Sequence, residues 1–370
     1  MGRKLVLIGG GHAHMVTLAN IHVLKEKGHE VTVIGPSPRH YYSGMGPGML
    51  GNTYTPHEIS FATRKVVQQQ GGTFIQDKAV RIDPEKKVVH LMTGGEVPYD
   101  VLSCNAGSMV PLPEMKGESR NVFPVKPIEE LQDAQAALLD LSWKRPGKVV
   151  VVGGGPAALE IAGNVEGLIA RKGTHPLEIT VLAGKRFLSH AAQGVRKRAV
   201  KSFEDRGIII NEAGYVQSVD GQKLILESGA EFEGDIIFLA LGVRPSPIFA
   251  DSGLPTGRDG GLLVNAHLQS VKYPEIFGGG DCISFQDREL DKVGVYAVRE
   301  NPVLFHNLKA SLDGEALKGF DPGGAYLLIY NLGDGTGIFL KGPILFGGKL
   351  AFKVKDWIDR KFMVEFQKYE

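Results

Sequence analysis

One nine-residue pattern occurs twice in the chain. Val6–His14 reads VLIGGGHAH and Val150–Ala158 reads VVVGGGPAA. Each copy is a short apolar run that enters a glycine turn and leaves it in a helix-compatible segment. A second apolar run follows each, Glu30–Ile34 in the first copy and Leu177–Leu182 in the second. Strand, glycine turn, helix and strand in that order place backbone N–H groups and a helix N-terminus against a pyrophosphate. Gly9 and Gly11, with Gly10 between them, supply the tight turn and the close approach in the first copy; Gly153 and Gly155 do so in the second. The third glycine position holds His14 in one copy and Ala158 in the other. Alanine is a tolerated substitute there, whereas histidine weakens the helix–strand packing. A lone glycine turn is an ordinary feature of any sheet, but two between strand and helix require an α/β fold with two nucleotide-binding halves.

Composition agrees and closes other routes. Glycine is 49 of 370 residues, nearly twice the roughly 7% of average proteins, without a Gly-X-Y period. Lys plus Arg number 42 against 41 Asp plus Glu, so no global field selects nucleic acid as a partner. Two cysteines exclude a disulfide framework, a CxxC motif and a thiolate zinc site. His12, His14, His40, His57 and His190 show no metal spacing, and no metal site is expected. The N-terminal MGRKLVLIGGG runs straight into a strand with no signal-peptide pattern, and no apolar run reaches the roughly 18 residues of a spanning helix. The expectation is a cytoplasmic chain, free or peripheral on the inner face of the membrane.

Three further segments carry a resemblance. Val101–Ser108 (VLSCNAGS) is similar to a strand that ends in Ala-Thr-Gly-Ser, although Asn105 precedes Ala106 and the threonine is absent. Leu239–Pro245 (LALGVRP) matches the equivalent strand of a second domain, and Phe277–Cys282 (FGGGDC) a second flavin motif. With both glycine turns, the chain resembles the pyridine nucleotide–disulfide oxidoreductase superfamily over nearly its whole length. That resemblance implies two Rossmann-like domains, the second inserted in the first. The FAD-binding domain would take 1–115 and 256–324, the NAD(P)-binding domain 121–245, and a hairpin-and-helix tail 325–370. It implies FAD on Gly9, Gly10, Gly11, His12, Ala13 and His14, with Ser43, Gly44 and Met45 near the ring. Ala106, Gly107, Gly280 and Ala297 complete that site, and Asp281 would bond the ribityl chain; the residues alone also allow a helix cap there. The nicotinamide cofactor would lie on Gly153, Gly155 and Gly242. Glu160 stands where the family carries a glutamate near the nicotinamide–flavin contact; a solvated or paired helix glutamate is the plain alternative.

Within the superfamily, the type II NADH:quinone and sulfide:quinone oxidoreductase branch is most similar. More narrowly, GGGHAH, Tyr42–Met45 with Pro47–Leu50, and Lys355–Met363 resemble the flavoprotein module fused to selenide, water dikinases, in which His14 becomes a subgroup trait. Tyr41–Pro47 holds no cysteine, so the thiol that disulfide reductases keep beside the flavin is missing. Cys104 and Cys282 read as small buried residues rather than a sulfur relay. The reading is then hydride from NAD(P)H to the flavin and electrons to a quinone or other small-molecule acceptor. A sulfide- or selenide-oxidising flavoprotein and a flavin-binding sensor or partner subunit are the alternatives.

Cofactor choice and the tail stay open. An NAD site has an acid at the end of its second strand, but Val181–Arg186 (VLAGKR) has none, and residues 185–201 carry six Lys or Arg with no acid. A 2′-phosphate site and a solvated basic helix face both fit, as does a fold kept for a donor other than a nicotinamide. The first unit also lacks its acid, which leaves the FAD ribose to Ser37 or to backbone. Tyr296–Pro302 should start a helix, with a kink or fresh start at Pro302, and the quinone branch's glutamine signature is absent. Leu350, Val354, Trp357, Ile358 and Phe362 share a helical stripe flanked by Lys353, Lys355, Arg360 and Lys361. A membrane surface, the protein's own core, or a second subunit in a homodimer would cover it.

Overall fold

The computed structural model describes residues 2–370. One five-stranded parallel sheet runs in the order Ile276–Gly278, Val101–Cys104, Lys4–Ile8, Glu30–Gly35 and Thr73–Gln76. A second runs Val122–Pro124, Ile236–Leu239, Gly147–Val152, Leu177–Leu182 and Ile209–Asn211. Their central strands are buried on both faces, which is why they read as continuous apolar runs rather than alternating ones. These are the two Rossmann-type halves that the repeated glycine turns require. The strand Ile276–Gly278 arrives after the whole second sheet and completes the first.

Smaller antiparallel sheets occupy the alternating stretches: Ala79–Asp83 with Val88–Leu91 and Glu96–Pro98, and Val216–Asp220 with Lys223–Leu226 and Glu231–Glu233. Two apolar cores result. The second surrounds Val149–Val152 and also takes in Met45, Met49, Leu50 and Tyr54 with Tyr330, Leu332, Ile338 and Met363 of the tail. The segment after the first unit's second strand and the tail are therefore fastened to the second unit.

Three details depart from the sequence expectations. A third tail strand, Ile344–Gly348, follows Leu328–Asn331 and Gly337–Lys341 in an antiparallel sheet. The helix Gly294–Asp313 starts where expected but continues through Pro302 without a fresh start. Pro302 has no N–H to donate to the carbonyl of Val298 four residues before it, and Val298 is 41% exposed. The tail helix, Lys349–Gln367, buries Ala351, Lys355, Asp359 and Met363. Leu350, Trp357 and Val364 are 64%, 63% and 67% exposed, so the expected stripe is split: Leu350 and Trp357 face outward, while Val354, Ile358 and Phe362 are half-buried. Among the described residues no helix is long and apolar enough to cross a membrane.

Candidate functional site

The two glycine turns are built alike. Gly9 N–H donates to Ile34 O at 2.8 Å and Gly153 N–H to Leu182 O at 2.9 Å. Gly9 (φ +85°) and Gly153 (φ +137°) press on the carbonyl that follows the neighbouring strand, Val101–Cys104 in the first sheet and Ile236–Leu239 in the second. A Cβ would stand 2.2 Å from Asn105 O in the first and 2.1 Å from Ala240 O in the second. Only glycine fits both the left-handed backbone and the contact. Gly155 caps the helix Pro156–Lys172 and faces open space, as a phosphate-receiving turn must. Gly242 (φ +81°) is exposed beyond the end of Ile236–Leu239.

Around the first turn lie buried polar atoms without hydrogen-bond partners among the described residues: His12 Nε2, Asn105 Nδ2, Arg39 Nη2 and Thr63 Oγ1. Leaving such groups unpaired is costly, and three of the four are nitrogens that can donate. A polar, anionic ligand over Gly9–Gly11 would satisfy them, so the residues present fit the pyrophosphate of FAD. Ser37 lies just beyond the strand Glu30–Gly35, where its hydroxyl accepts from Arg39 N–H at 3.2 Å and keeps its own proton to donate. Asp281 Oδ2 accepts from Ser108 Oγ at 2.7 Å and from Lys126 Nζ at 2.8 Å. Burial alone would raise this carboxyl; Lys126 and Ser108 outweigh it and hold the pKa below the usual carboxylate range. Glu300, on the Gly294–Asp313 helix, accepts from Gly280 N–H at 2.5 Å, and burial lifts its pKa to about 7.

Several expected contacts turn out differently. The His14 side chain is fully buried, with Nδ1 2.7 Å from Gly9 O and Nε2 2.8 Å from Ser103 Oγ. Nδ1 must carry the proton, because Gly9 O only accepts; Nε2 then accepts from the serine. His14 therefore ties the turn to the sheet in place of the close packing that a glycine allows, and it has no free nitrogen for a ligand. Met45, Ala13 and Ala297 also send their side chains into the cores, which leaves only their backbone to a cofactor. His12 does face the site. Its ring stacks on Phe362 at 5.2 Å and lies 4.9 Å from Tyr42, with His40 Nε2 3.4 Å from its Nδ1. Burial, reinforced by His40 and Lys126, pulls its pKa down to about 3, so it is neutral at physiological pH.

Ser43, Gly44 and Glu160 meet the tail. Ser43–Met45 forms one turn of 3₁₀ helix. Gly44 O accepts from Lys355 Nζ at 2.9 Å, and Lys355 Nζ also donates to Asp359 Oδ2 at 2.7 Å. Tyr42 OH donates to Asp359 Oδ1 at 3.2 Å. Glu160 Oε1 accepts from Asn331 N–H at 2.7 Å, and burial raises its pKa while the charge of Lys355 works against that shift. The structure thus gathers Glu160, Lys355, Asp359 and Tyr42 beside the Tyr42–Leu50 segment. Ala106 and Gly107 (φ +66°) bend the chain between the strand Val101–Cys104 and Ser108. Cys104 and Cys282 are free and buried; burial pushes Cys282 up to about 12 and Cys104 well above the usual thiol range.

Sequence reasoning missed Lys126, Ser108, Arg39, Thr63, Glu300 and Asp359 as site residues. Ser108 lay inside a recognised segment. Asp359 lay in the recognised Lys355–Met363 segment, four residues from Lys355, but its bond to Tyr42 spans 317 residues; Lys126 carried no local signal, since Asp281 lies 155 residues away in the chain.

Residues 3–304 match the pyridine nucleotide-disulphide oxidoreductase family. The large subunit of the Escherichia coli NADH nitrite reductase is 27% identical over 77% of this chain; the chain spans 34% of that subunit's length. The type II NADH:quinone oxidoreductase of Staphylococcus aureus is 24% identical over 97% of this chain and 94% of its own. Among solved structures, the sulfide:quinone oxidoreductase of Aquifex aeolicus superposes with a TM-score of 0.79 at 19% identity, covering 100% of this chain and 92% of that one. NDH2 of Plasmodium falciparum in complex with NADH gives 0.80 at 15% identity, covering 99% and 98%.

Proposed function

The chain belongs to the pyridine nucleotide-disulphide oxidoreductase family, and from that premise we propose that it takes hydride from NAD(P)H onto FAD and passes electrons to a quinone-type acceptor at a membrane surface. The tail helix carries this reading. Its inner line sets Lys355 and Asp359 against Tyr42, Gly44 and Glu160, while its outer line exposes Leu350, Trp357 and Val364. Exposed apolar anchors, a tryptophan among them, flanked by Lys353 and Lys361 fit the headgroup region of a bilayer. A lipid-soluble acceptor passing from the outer line of that helix to its inner line would reach the polar cluster. The quinone-linked relatives, from Staphylococcus aureus and Aquifex aeolicus, support the same acceptor class.

FAD, when bound, accepts the hydride and releases the electrons. The chain's own part is binding and proton handling. Gly9–Gly11, His12, Asn105 and Arg39 would hold the pyrophosphate, Ser37 the ribose, and Asp281, kept charged by Lys126, the ribityl hydroxyls. Reducing a quinone with the electrons of one hydride takes one proton beyond the hydrogen that the hydride brings, and Glu160 Oε and Lys355 Nζ are the candidate groups to supply it and be reprotonated from solvent. Lys355 is held in place by Gly44 O and Asp359, and Glu160, with its raised pKa, retains a proton more readily than a solvated glutamate. A sulfur relay lacks its chemistry, because the buried thiols of Cys104 and Cys282 resist ionisation.

The test is anaerobic oxidation of NAD(P)H with a short-chain quinone as the sole acceptor. Stoichiometric quinol formation is expected, and Glu160→Gln should lower turnover about tenfold or more. Nucleotide-reduced flavin that no quinone reoxidises would overturn the acceptor assignment.

A further inference from the structure

We infer that the second nucleotide site selects a 2′-phosphorylated pyridine nucleotide, with Lys185 and Arg186 as its specificity determinants; the inference rests on the nucleotide reading of the second glycine turn. Beyond Leu182 the chain continues Ala183-Gly184-Lys185-Arg186, and this loop is bonded onto the glycine turn. Leu188 N–H donates to Gly154 O at 2.7 Å. A Cβ on Gly154 would stand 2.4 Å from Ala183 O and 3.2 Å from Arg186 O. Where the second strand meets the turn, a ribose-binding nucleotide needs a carboxylate to accept from its 2′-hydroxyl. Two cations stand there instead.

The six basic residues of 185–201 separate once they are placed. Arg196 donates from Nε to Phe187 O at 2.9 Å and from Nη2 to Glu212 Oε1 at 3.0 Å. Lys201 pairs with Asp205 at 3.1 Å. Lys197 and Arg198 lie exposed on the helix Gln193–Asp205. Lys185 and Arg186 are exposed and make no salt bridge among the described residues. The one acid near the loop, Glu212, has its Oε1 committed to Phe187 N–H at 2.7 Å as well as to Arg196; it braces the loop. Beside the cations, Gly184 (φ +72°) leaves room for the Tyr215 ring, whose edge a Cβ would meet at 2.4 Å, and Lys185 Nζ lies 5.9 Å from that ring's centroid. A half-exposed aromatic face next to two free cations suits a purine carrying a phosphate on its ribose. A phosphate dianion gains from both charges, whereas a 2′-hydroxyl meets two cations and only Glu212, whose Oε1 is already committed to Phe187 N–H and Arg196.

The experiment is calorimetric titration of the flavin-loaded protein with 2′,5′-ADP and with 5′-ADP at low salt. The 2′-phosphorylated probe should bind about tenfold tighter or more, as expected for two partly exposed charge-assisted contacts, and the advantage should shrink as salt is added. Lys185→Ala with Arg186→Ala should bring the ratio toward one, while Lys197→Ala on the neighbouring helix should keep it. Equal or tighter binding of 5′-ADP would overturn the inference, as would a selective loss of 5′-ADP affinity in Glu212→Gln. Binding of neither probe would overturn the nucleotide reading of this half, and the inference with it.

Discussion

Replacing Lys355 by methionine isolates the contact that joins the tail to the site. Lys355 and Asp359 have side chains only 11% and 6% exposed, with Nζ 2.7 Å from Oδ2. Removing one partner of a buried pair costs about 3–5 kcal/mol, because the other charge stays buried without compensation. Lys355→Met also frees Gly44 O and leaves Asp359 facing Glu160. Asp359, whose pKa burial already raises against the pull of Lys355, has an escape: it can take up a proton. The cost at pH 7 should therefore be about 3 kcal/mol, the lower end of that range. The sign of the pH dependence follows. An acid whose folded pKa lies above its unfolded value is stabilised by its proton at low pH, and that gain is lost as the pH rises through the folded pKa. The deficit of Lys355→Met should thus be small near pH 4 and full at pH 7. Lys355→Met with Asp359→Leu should recover most of it. Native-state hydrogen exchange of the tail-helix amides reads the local opening free energy directly, which suits a chain of two halves better than one global transition. A cost below about 1 kcal/mol, as for a solvated pair, or no recovery in the double variant, would refute the reasoning.

Other perturbations have equally definite outcomes. Gly9→Ala forces a Cβ to 2.2 Å from Asn105 O and should yield protein without visible flavin absorbance. Gly153→Ala, at 2.1 Å from Ala240 O, should keep the flavin but lose its reduction by pyridine nucleotide. Glu300, with a pKa raised from 4.5 to about 7, should make stability fall as the pH rises across that window, by up to about 3 kcal/mol at roughly 1.4 kcal/mol per unit. Urea titrations at several pH values should show that slope vanish in Glu300→Gln. His14 has the opposite sign: its pKa is lowered from 6.5 to about 4, so its contribution is complete above pH 6.5 and is lost as the pH falls toward 4. Replacing Leu350 and Trp357 by glutamate should weaken binding to anionic vesicles at least tenfold in a sedimentation assay, since burying each apolar side chain contributes about 1.5–3 kcal/mol.

What could be read from the chain was what is local in it. The glycine turns, their flanking strands and the second flavin segment each declare themselves within ten residues, and they place Gly9, Gly153 and Asp281 without a structure. The tail helix shows the limit. Its apolar period suggests a face to bury, but that face is split, and the line turned inward carries Lys355 and Asp359. Periodicity assigns charges to solvent, and only the partner contact at i, i+4 together with Tyr42 and Gly44 reverses that. His14 read as a cofactor-binding position that weakens helix–strand packing, yet its two nitrogens tie Gly9 O to Ser103, a contact that depends on a strand 89 residues away. Lys126 was unreadable for the same reason: its meaning lies in Asp281. Pro302 was legible as a residue, but not that the helix Gly294–Asp313 runs on through it without a fresh start.

The most direct test of the account is an anaerobic titration of the purified yellow protein with NADPH and with NADH, watching the flavin absorbance, followed by addition of a short-chain quinone. The account predicts bleaching by a pyridine nucleotide, faster with NADPH, and full return of the colour when quinone is added. A flavin that neither nucleotide reduces would contradict it at its centre.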